Sequence, residues 1–359
     1  MDEELKAHAV KSVRDYMSSH DDFSIFYHLD GDGTTSAALL TKVLSSLGKN
    51  IVHYRATNYE DFKKLDVSEY TKNIIICDIN VKEKELAIFN KNNLCVIDHH
   101  ELIHAGGFVY LNPKMWGDET YTPCSLVVYR IFQDLLKDWD WIAAVGTVSD
   151  SGGKENKDFI AETAAKNNVK MGKDDYAYDN DFGVCASGIG AIINLYNRNG
   201  SDEALGILIS SKSLEETLKN ERLVSADKQV QQELNKLIEQ FEAHKEVHGK
   251  VIFFDMDPRK KRYSSTLVTI LSFDEKYNNS ILIFITKIND KLVRINARAS
   301  QVEGISLPAA FREVFKTIKG TGGGHDKAAA ASIEAKDEEA FKKLLLNELE
   351  TQLKVGRTG

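Results

Sequence analysis

Five short apolar runs mark the first third of the chain, at 23–28, 51–56, 73–78, 94–97 and 108–111, and each reads as a strand. Two of them, Phe23-Ser24-Ile25-Phe26-Tyr27 and Ile74-Ile75-Ile76-Cys77, are apolar almost throughout. That is the pattern of a strand buried on both faces. An amphipathic helix is predicted over 2–18, and helical spacing recurs at 34–47, 58–66 and 82–91. The helix after the first strand opens with Thr34, Thr35 and Ser36, hydroxyl residues suited to an N-cap. Strands alternating with helices predict an α/β fold, with a mainly parallel sheet covered by helices on both faces. In such sheets ligands bind beyond the carboxyl ends of the strands.

Further on, 124–150 reads as two helices broken near Asp138, and polar 151–182 as a helix and a loop. From Ser213 to His244, Leu214, Leu218, Leu223, Val230, Leu234, Leu237, Ile238 and Phe241 recur at helical spacing. This predicts a long connecting helix, solvent-facing over much of its girth. A second block begins near Gly249. Strands are predicted at 251–254, 281–285 and 292–298, and helices at 264–272 and 306–318. A glycine loop over 320–325, a strand at 331–334 and a helix at 338–354 follow. The expected organisation is 1–200, a helical linker 201–248 and a smaller α/β domain 249–359.

Composition narrows the class. The 359 residues carry a net charge of -8, so any anionic ligand must be held by a local basic cluster or by metal. Four cysteines occur, none in a Cys-x-x-Cys pair. Cys77 and Cys95 lie in apolar runs, as buried free thiols do, which fits a reducing cytoplasmic setting. The N-terminus lacks the apolar core of a signal peptide, and no apolar stretch approaches membrane-spanning length, so no membrane partner is expected.

Candidate chemistry collects at the strand ends. His28, Asp30 and Asp32 alternate along Tyr27-His28-Leu29-Asp30-Gly31-Asp32-Gly33, so they leave the first strand on one face, beside a helix N-terminus. Gly31 and Gly33 are expected to let the backbone turn sharply there. Ile74-Ile75-Ile76-Cys77 ends in Asp78, Leu94-Cys95-Val96-Ile97 ends in Asp98-His99-His100, and an apolar run from Trp141 ends at Asp150. Parallel strands bring such termini to one sheet edge. Carboxylates with a minority of imidazoles suit manganese, magnesium, zinc or iron(II). Six or more such ligands suit a pair of ions sharing a carboxylate, the arrangement that clamps the attacking and leaving oxygens of a phosphoryl displacement. In the second block, Gly322-Gly323-Gly324-His325 offers backbone N–H groups to a phosphate, and Arg298 a planar fork. Arg259-Lys260-Lys261-Arg262 reads equally as a nucleic-acid contact or a solvated turn.

The motifs His28-x-Asp30-x-Asp32-Gly33, Asp78, Asp98-His99-His100 and Asp150 resemble, in order and spacing, the DHH phosphoesterase superfamily. The second block resembles its DHHA1 partner domain through Arg298 and Gly322-Gly323-Gly324-His325. The resemblance implies phosphodiester or phosphoanhydride hydrolysis with two divalent ions, manganese first, magnesium or cobalt as alternatives. It places His28, Asp30 and Asp78 on one ion, and Asp32, Asp78, His99 and Asp150 on the other. It makes His100, with Asp78 and Asp98, catalytic, His100 facing the scissile phosphate. It assigns Arg298, Gly322, Gly323, Gly324 and His325 to substrate. The tight first motif is most similar to archaeal RecJ-like exonucleases on single-stranded DNA or RNA, with 5′ to 3′ polarity implied. Short oligonucleotides are equally compatible with the chain's size. Two alternatives stay open: an NrnA-like oligoribonuclease or phosphoadenosine-phosphate phosphatase, and a replication scaffold binding the GINS complex. A homo-oligomer is compatible with each.

Overall fold

The run Ile74-Ile75-Ile76-Cys77 forms a central strand because nothing in it needs water: all four residues are fully buried. The computed structural model describes residues 2–58, 61, 64–103, 106–172 and 179–355. The chain forms two units, Met1–Val230 and Gln231–Gly359.

In the first unit, helix α1 (Glu3–Ser19) precedes strand β1 (Asp22–His28), helix α2 (Gly31–Ser46), β2 (Asn50–Thr57) and β3 (Asn73–Cys77). Then come α3 (Glu83–Leu86), β4 (Asn93–Ile97), β5 (Val109–Leu111), α4 (Cys124–Ile131), α5 (Asp140–Ser149) and α6 (Lys157–Asn167). Helices α7 (Asp181–Tyr196), α8 (Arg198–Ser210) and α9 (Leu214–Leu218) follow, and α10 (Glu221–His244) runs across the boundary of the two units. The five strands order β2-β1-β3-β4-β5 and every pair is parallel. Sequential strands β1 and β2 lie to one side and β3, β4, β5 to the other, so the order reverses between β1 and β3. Crevices for ligands open at such a reversal. His28 ends β1 there and Asp78 follows β3.

Two local expectations are corrected. Helix α2 begins at Gly31, not at 34, and its N-cap is Asp30, whose carboxylate accepts from the Gly33 N–H at 2.9 Å. Thr34, Thr35 and Ser36 are buried within the helix instead. Gly31 and Gly33 do not take the left-handed backbone; what they need is the absence of a Cβ. One added to Gly33 would lie 2.4 Å from the His28 carbonyl oxygen, and one on Gly31 would lie 1.9 Å from Ser149 Oγ. The helical reading of 58–66 falls partly on 59–60 and 62–63, outside the described residues.

In the second unit a six-stranded sheet orders β10-β11-β9-β8-β7-β6. Its elements are β6 (Glu246–His248), β7 (Val251–Met256), α11 (Ser264–Phe273), β8 (Ile281–Asn289) and β9 (Leu292–Arg298). Helix α12 (Leu307–Val314), β10 (Gly320–His325), β11 (Ala328–Glu334) and α13 (Glu338–Val355) complete it. Val293, Ile295, Ala329, Ala331 and Ile333 share one core with Phe311 of α12 and Phe341, Leu345 and Leu349 of α13. Phe254, Phe284 and Phe241 of α10 pack together elsewhere in this unit. The stretch read as one connecting helix is broken at Lys219 and Asn220, and α8 packs on α2 and α7 inside the first unit. Residues 201–230 of the expected linker therefore belong to that unit. The glycine stretch 320–325 is an edge strand, not a loop.

Candidate metal centre and its second-unit counterpart

The sheet edge gathers the acidic and imidazole groups. His28 Nδ1 lies 2.5 Å from Asp30 Oδ2 and 3.8 Å from Asp78 Oδ2. His99 Nε2 lies 3.2 Å from Asp78 Oδ1 and 3.6 Å from Asp150 Oδ2. Three sets each have ligand atoms within 4.8 Å of one another: His28, Asp30 and Asp78; Asp32, His99 and Asp150; and Asp78, His99 and His100. Every residue read from the sequence as a metal ligand is thus in a cluster. His100 joins one as well, beyond the role the sequence reading gave it.

Each carboxylate has a local support. Asp30 caps α2. Asp32, in the first turn of α2, accepts from the N–H groups of Cys124 and Ser125 at 2.7 and 3.0 Å, at the start of α4. Two helix N-termini thus face the acidic cluster and favour its negative charge. Asp78 sits at φ 60°, a left-handed position that Asp tolerates better than most residues. Asp98 is fully buried and lies 2.7 Å from His100 Nδ1, which orients that ring; it is in none of the three ligand sets. Tyr121 donates its hydroxyl to Asp150 Oδ2 at 2.5 Å and sets its ring edge against His99. Sequence reasoning missed Tyr121, which lies in an aperiodic stretch.

The electrostatics show a cluster short of positive charge. Burial, then the neighbouring carboxylates, pushes Asp32 and Asp78 well above the usual carboxyl range. Burial pushes Asp150 up to about 6, against the Tyr121 hydrogen bond. Burial, then His100, pushes His99 down to about 4. Burial works against the charged forms of His28 and His100, but Asp30 and Asp98, respectively, outweigh it and raise both. Asp30 is lowered: burial opposes its charge, but His28 and the Gly33 N–H prevail. Buried Asp78 Oδ2 has no hydrogen-bond partner among the described residues. These are the signs of residues that fit a cation: an orphaned carboxylate oxygen on Asp78, neutral-leaning His99 and carboxylates that repel one another.

In the second unit, Arg298, Ala328 and His325 lie opposite one another across three neighbouring strands. Arg298 and His325 therefore stand about 10 Å apart on one sheet face. Arg298 is half-buried, has no carboxylate partner among the described residues, and burial lowers its pKa. Gly323 has open space beside it, while Gly324, at φ 134°, could carry no Cβ without approaching the Ala328 carbonyl to 2.4 Å. Of the basic cluster, Arg259 pairs with Asp257 and Lys260 with Glu233.

Comparison with known proteins decides the family. Residues 22–149 match the model of the DHH family, N-terminal domain, and residues 248–351 that of the DHHA1 domain. The chain belongs to the DHH/DHHA1 superfamily. No curated protein sequence matches it. Among solved structures, this DHH/DHHA1 protein is similar to RecJ in complex with Mn2+ from Thermus thermophilus, at TM-score 0.73 and 16% identity. That match covers 96% of this chain but only 54% of the RecJ chain. CDC45 from Entamoeba histolytica aligns at TM-score 0.57 and 11% identity, over 97% of this chain and 98% of that one. A pGpG-specific phosphodiesterase, PggH from Vibrio cholerae, aligns at TM-score 0.55 and 14% identity, over 93% and 100%. These likenesses establish a shared DHH phosphoesterase fold. No helix among the described residues is long and apolar enough to cross a membrane.

Proposed function

We propose that this protein is a two-metal phosphodiesterase, a RecJ-like exonuclease on single-stranded DNA or RNA ends. The observation that carries the proposal is the division of Asp78: one carboxylate oxygen faces the His28 set and the other faces His99. His28, Asp30 and Asp78 would hold one ion; Asp32, Asp78, His99 and Asp150 would hold the other. Two divalent ions, manganese in our reading, supply Lewis-acid stabilisation of the attacking and leaving oxygens. The protein's own part is positional. Asp98 fixes the His100 ring, and protonated His100 donates a proton to, or orients, the scissile phosphate. In the second unit Arg298 and His325, with the Gly322–Gly324 edge, take substrate phosphates.

The test is a length series. Wild-type protein with Mn2+ is assayed on an end-labelled single-stranded 20-mer and on a dinucleotide. Faster cleavage of the 20-mer supports the exonuclease reading. Preference for the dinucleotide favours the second reading, a small oligonucleotide or pGpG-type phosphodiesterase, which the full-length match to PggH supports. Inactivity on every DNA, RNA and dinucleotide substrate would move the balance to a scaffold of the CDC45 kind, against which the filled ligand positions count.

A further inference from the structure

The carboxylates of the metal centre are not supported alike. Asp30 and Asp32 accept from backbone N–H groups, those of Gly33 and of Cys124 and Ser125. Asp150 has a different situation. It caps the C-terminus of α5, where the helix dipole disfavours a negative charge. The donor that meets its carboxylate is a side chain, the Tyr121 hydroxyl at 2.5 Å. Hydrogen bonds to an ionised acceptor are about twice as strong as neutral ones.

Tyr121 is itself built in, although its side chain is 44% exposed. Its carbonyl oxygen accepts from Asn156 Nδ2 at 2.8 Å, and Asn156 is 4% exposed. Asn156 Oδ1 in turn accepts from Arg130 Nη2 at 3.2 Å, and Arg130 Nη1 also reaches the buried Thr122 hydroxyl. Its ring meets the His99 ring in a T-shaped contact, 5.5 Å between centroids. Beyond Thr122 and Pro123, Cys124 begins the pair of N–H groups that hold Asp32. The short segment Tyr121–Ser125 therefore touches Asp32, His99 and Asp150, three of the four residues assigned to one ion, the fourth being the shared Asp78. His28 and Asp30, the outer members of the other set, are held by their own strand end and helix cap.

We infer that Tyr121 is a positioning residue for one of the two ions alone: it fixes Asp150 and His99 in the Asp32 set and leaves the His28 set untouched. The inference rests on the two-metal reading above. Its physical basis is that outer partners of metal ligands set ligand orientation, and removing one typically weakens a metal site roughly 10- to 100-fold. Tyr121→Phe keeps the ring against His99 and removes only the donor to Asp150.

The experiment is calorimetric titration of the metal-free protein with MnCl2, wild type against Tyr121→Phe, with free Mn2+ followed in parallel by its EPR signal. Wild type is expected to take up two ions per chain. In Tyr121→Phe one ion should bind roughly 10- to 100-fold more weakly and the other within about twofold of wild type. The metal-free melting temperature should stay within about 2 °C, since the exposed hydroxyl does little for the fold itself. Unchanged affinity at both sites, or equal weakening at both, would overturn the inference while leaving the two-metal reading in place. Wild-type protein that binds fewer than two ions would overturn that reading, and this inference with it.

Discussion

Asp78 stands between two histidines, its Oδ2 3.8 Å from His28 Nδ1 and its Oδ1 3.2 Å from His99 Nε2. It does so from a left-handed backbone position and at 2% exposure, surrounded by Asp30, Asp32, Asp98 and Asp150. Such a group is costly to the metal-free fold, and on the two-metal reading proposed above that cost is offset when positive charge arrives.

Asp78→Asn follows from that cost. Asn also tolerates the left-handed backbone and keeps the volume, so the metal-free variant is expected to be more stable than wild type by about 1–2 kcal/mol. Activity should fall at least about a hundredfold, because both ion sites lose a ligand. Denaturant melts in chelator measure the first effect. A metal-free variant less stable than wild type would show that Asp78 is a structural residue.

The pH dependence of the metal-free protein has a definite sign. Asp32, Asp78 and Asp150 hold protons more tightly folded than unfolded, Asp150 up to about 6. Raised carboxyls make the fold bind more protons than the unfolded chain, so their contribution to stability falls as pH rises above about 4. His28 and His100, also raised, contribute stability that is fully present below about 6.5 and is lost as pH rises through their folded values. His99, lowered to about 4, acts oppositely between about 4 and 6.5. Asp30, lowered, acts only below the usual carboxyl range. The balance is a melting temperature that declines from about pH 5 to about pH 8 in chelator, and a gain on adding Mn2+ that grows over the same range. A metal-induced gain that shrinks with rising pH would contradict this assignment of charges.

The two glycines at the end of β10 separate packing from binding. Gly323→Ala enters open space and should leave the fold within about 0.5 kcal/mol of wild type. Gly324→Ala meets the Ala328 carbonyl at an unfavourable φ and should cost about 1–3 kcal/mol. Thermal melts of the two variants check this; equal stabilities would mean that β10 is not ordered as described.

Arg298→Ala tests the second unit. Loss of a charged contact to phosphate should raise KM for an oligonucleotide about tenfold with kcat within about twofold. Arg298→Lys should restore little of it, since an ammonium lacks the planar fork. A fall in kcat at constant KM would assign Arg298 to the chemical step.

Much of this is legible in the chain. The central strands β1, β3 and β4 announce themselves because they are buried on both faces, and the strand-end acids follow from parallel order. The start of α2 is harder to place because hydroxyl residues advertise a cap, whereas here Asp30 is the cap and buried Thr34 and Thr35 turn their hydroxyls back on helix carbonyls. The glycine run reads as a loop because glycine punctuates turns; pairing with β11 overrides that local preference. Tyr121 gives no signal, since its role depends on Asp150, far along the chain, and on a brace from Asn156.

The most direct test is anomalous diffraction from crystals of the protein grown with Mn2+. The account predicts two manganese peaks roughly 3.5–4 Å apart, one on each side of the Asp78 carboxylate. A single peak, or peaks that Asp78 does not join, would contradict it.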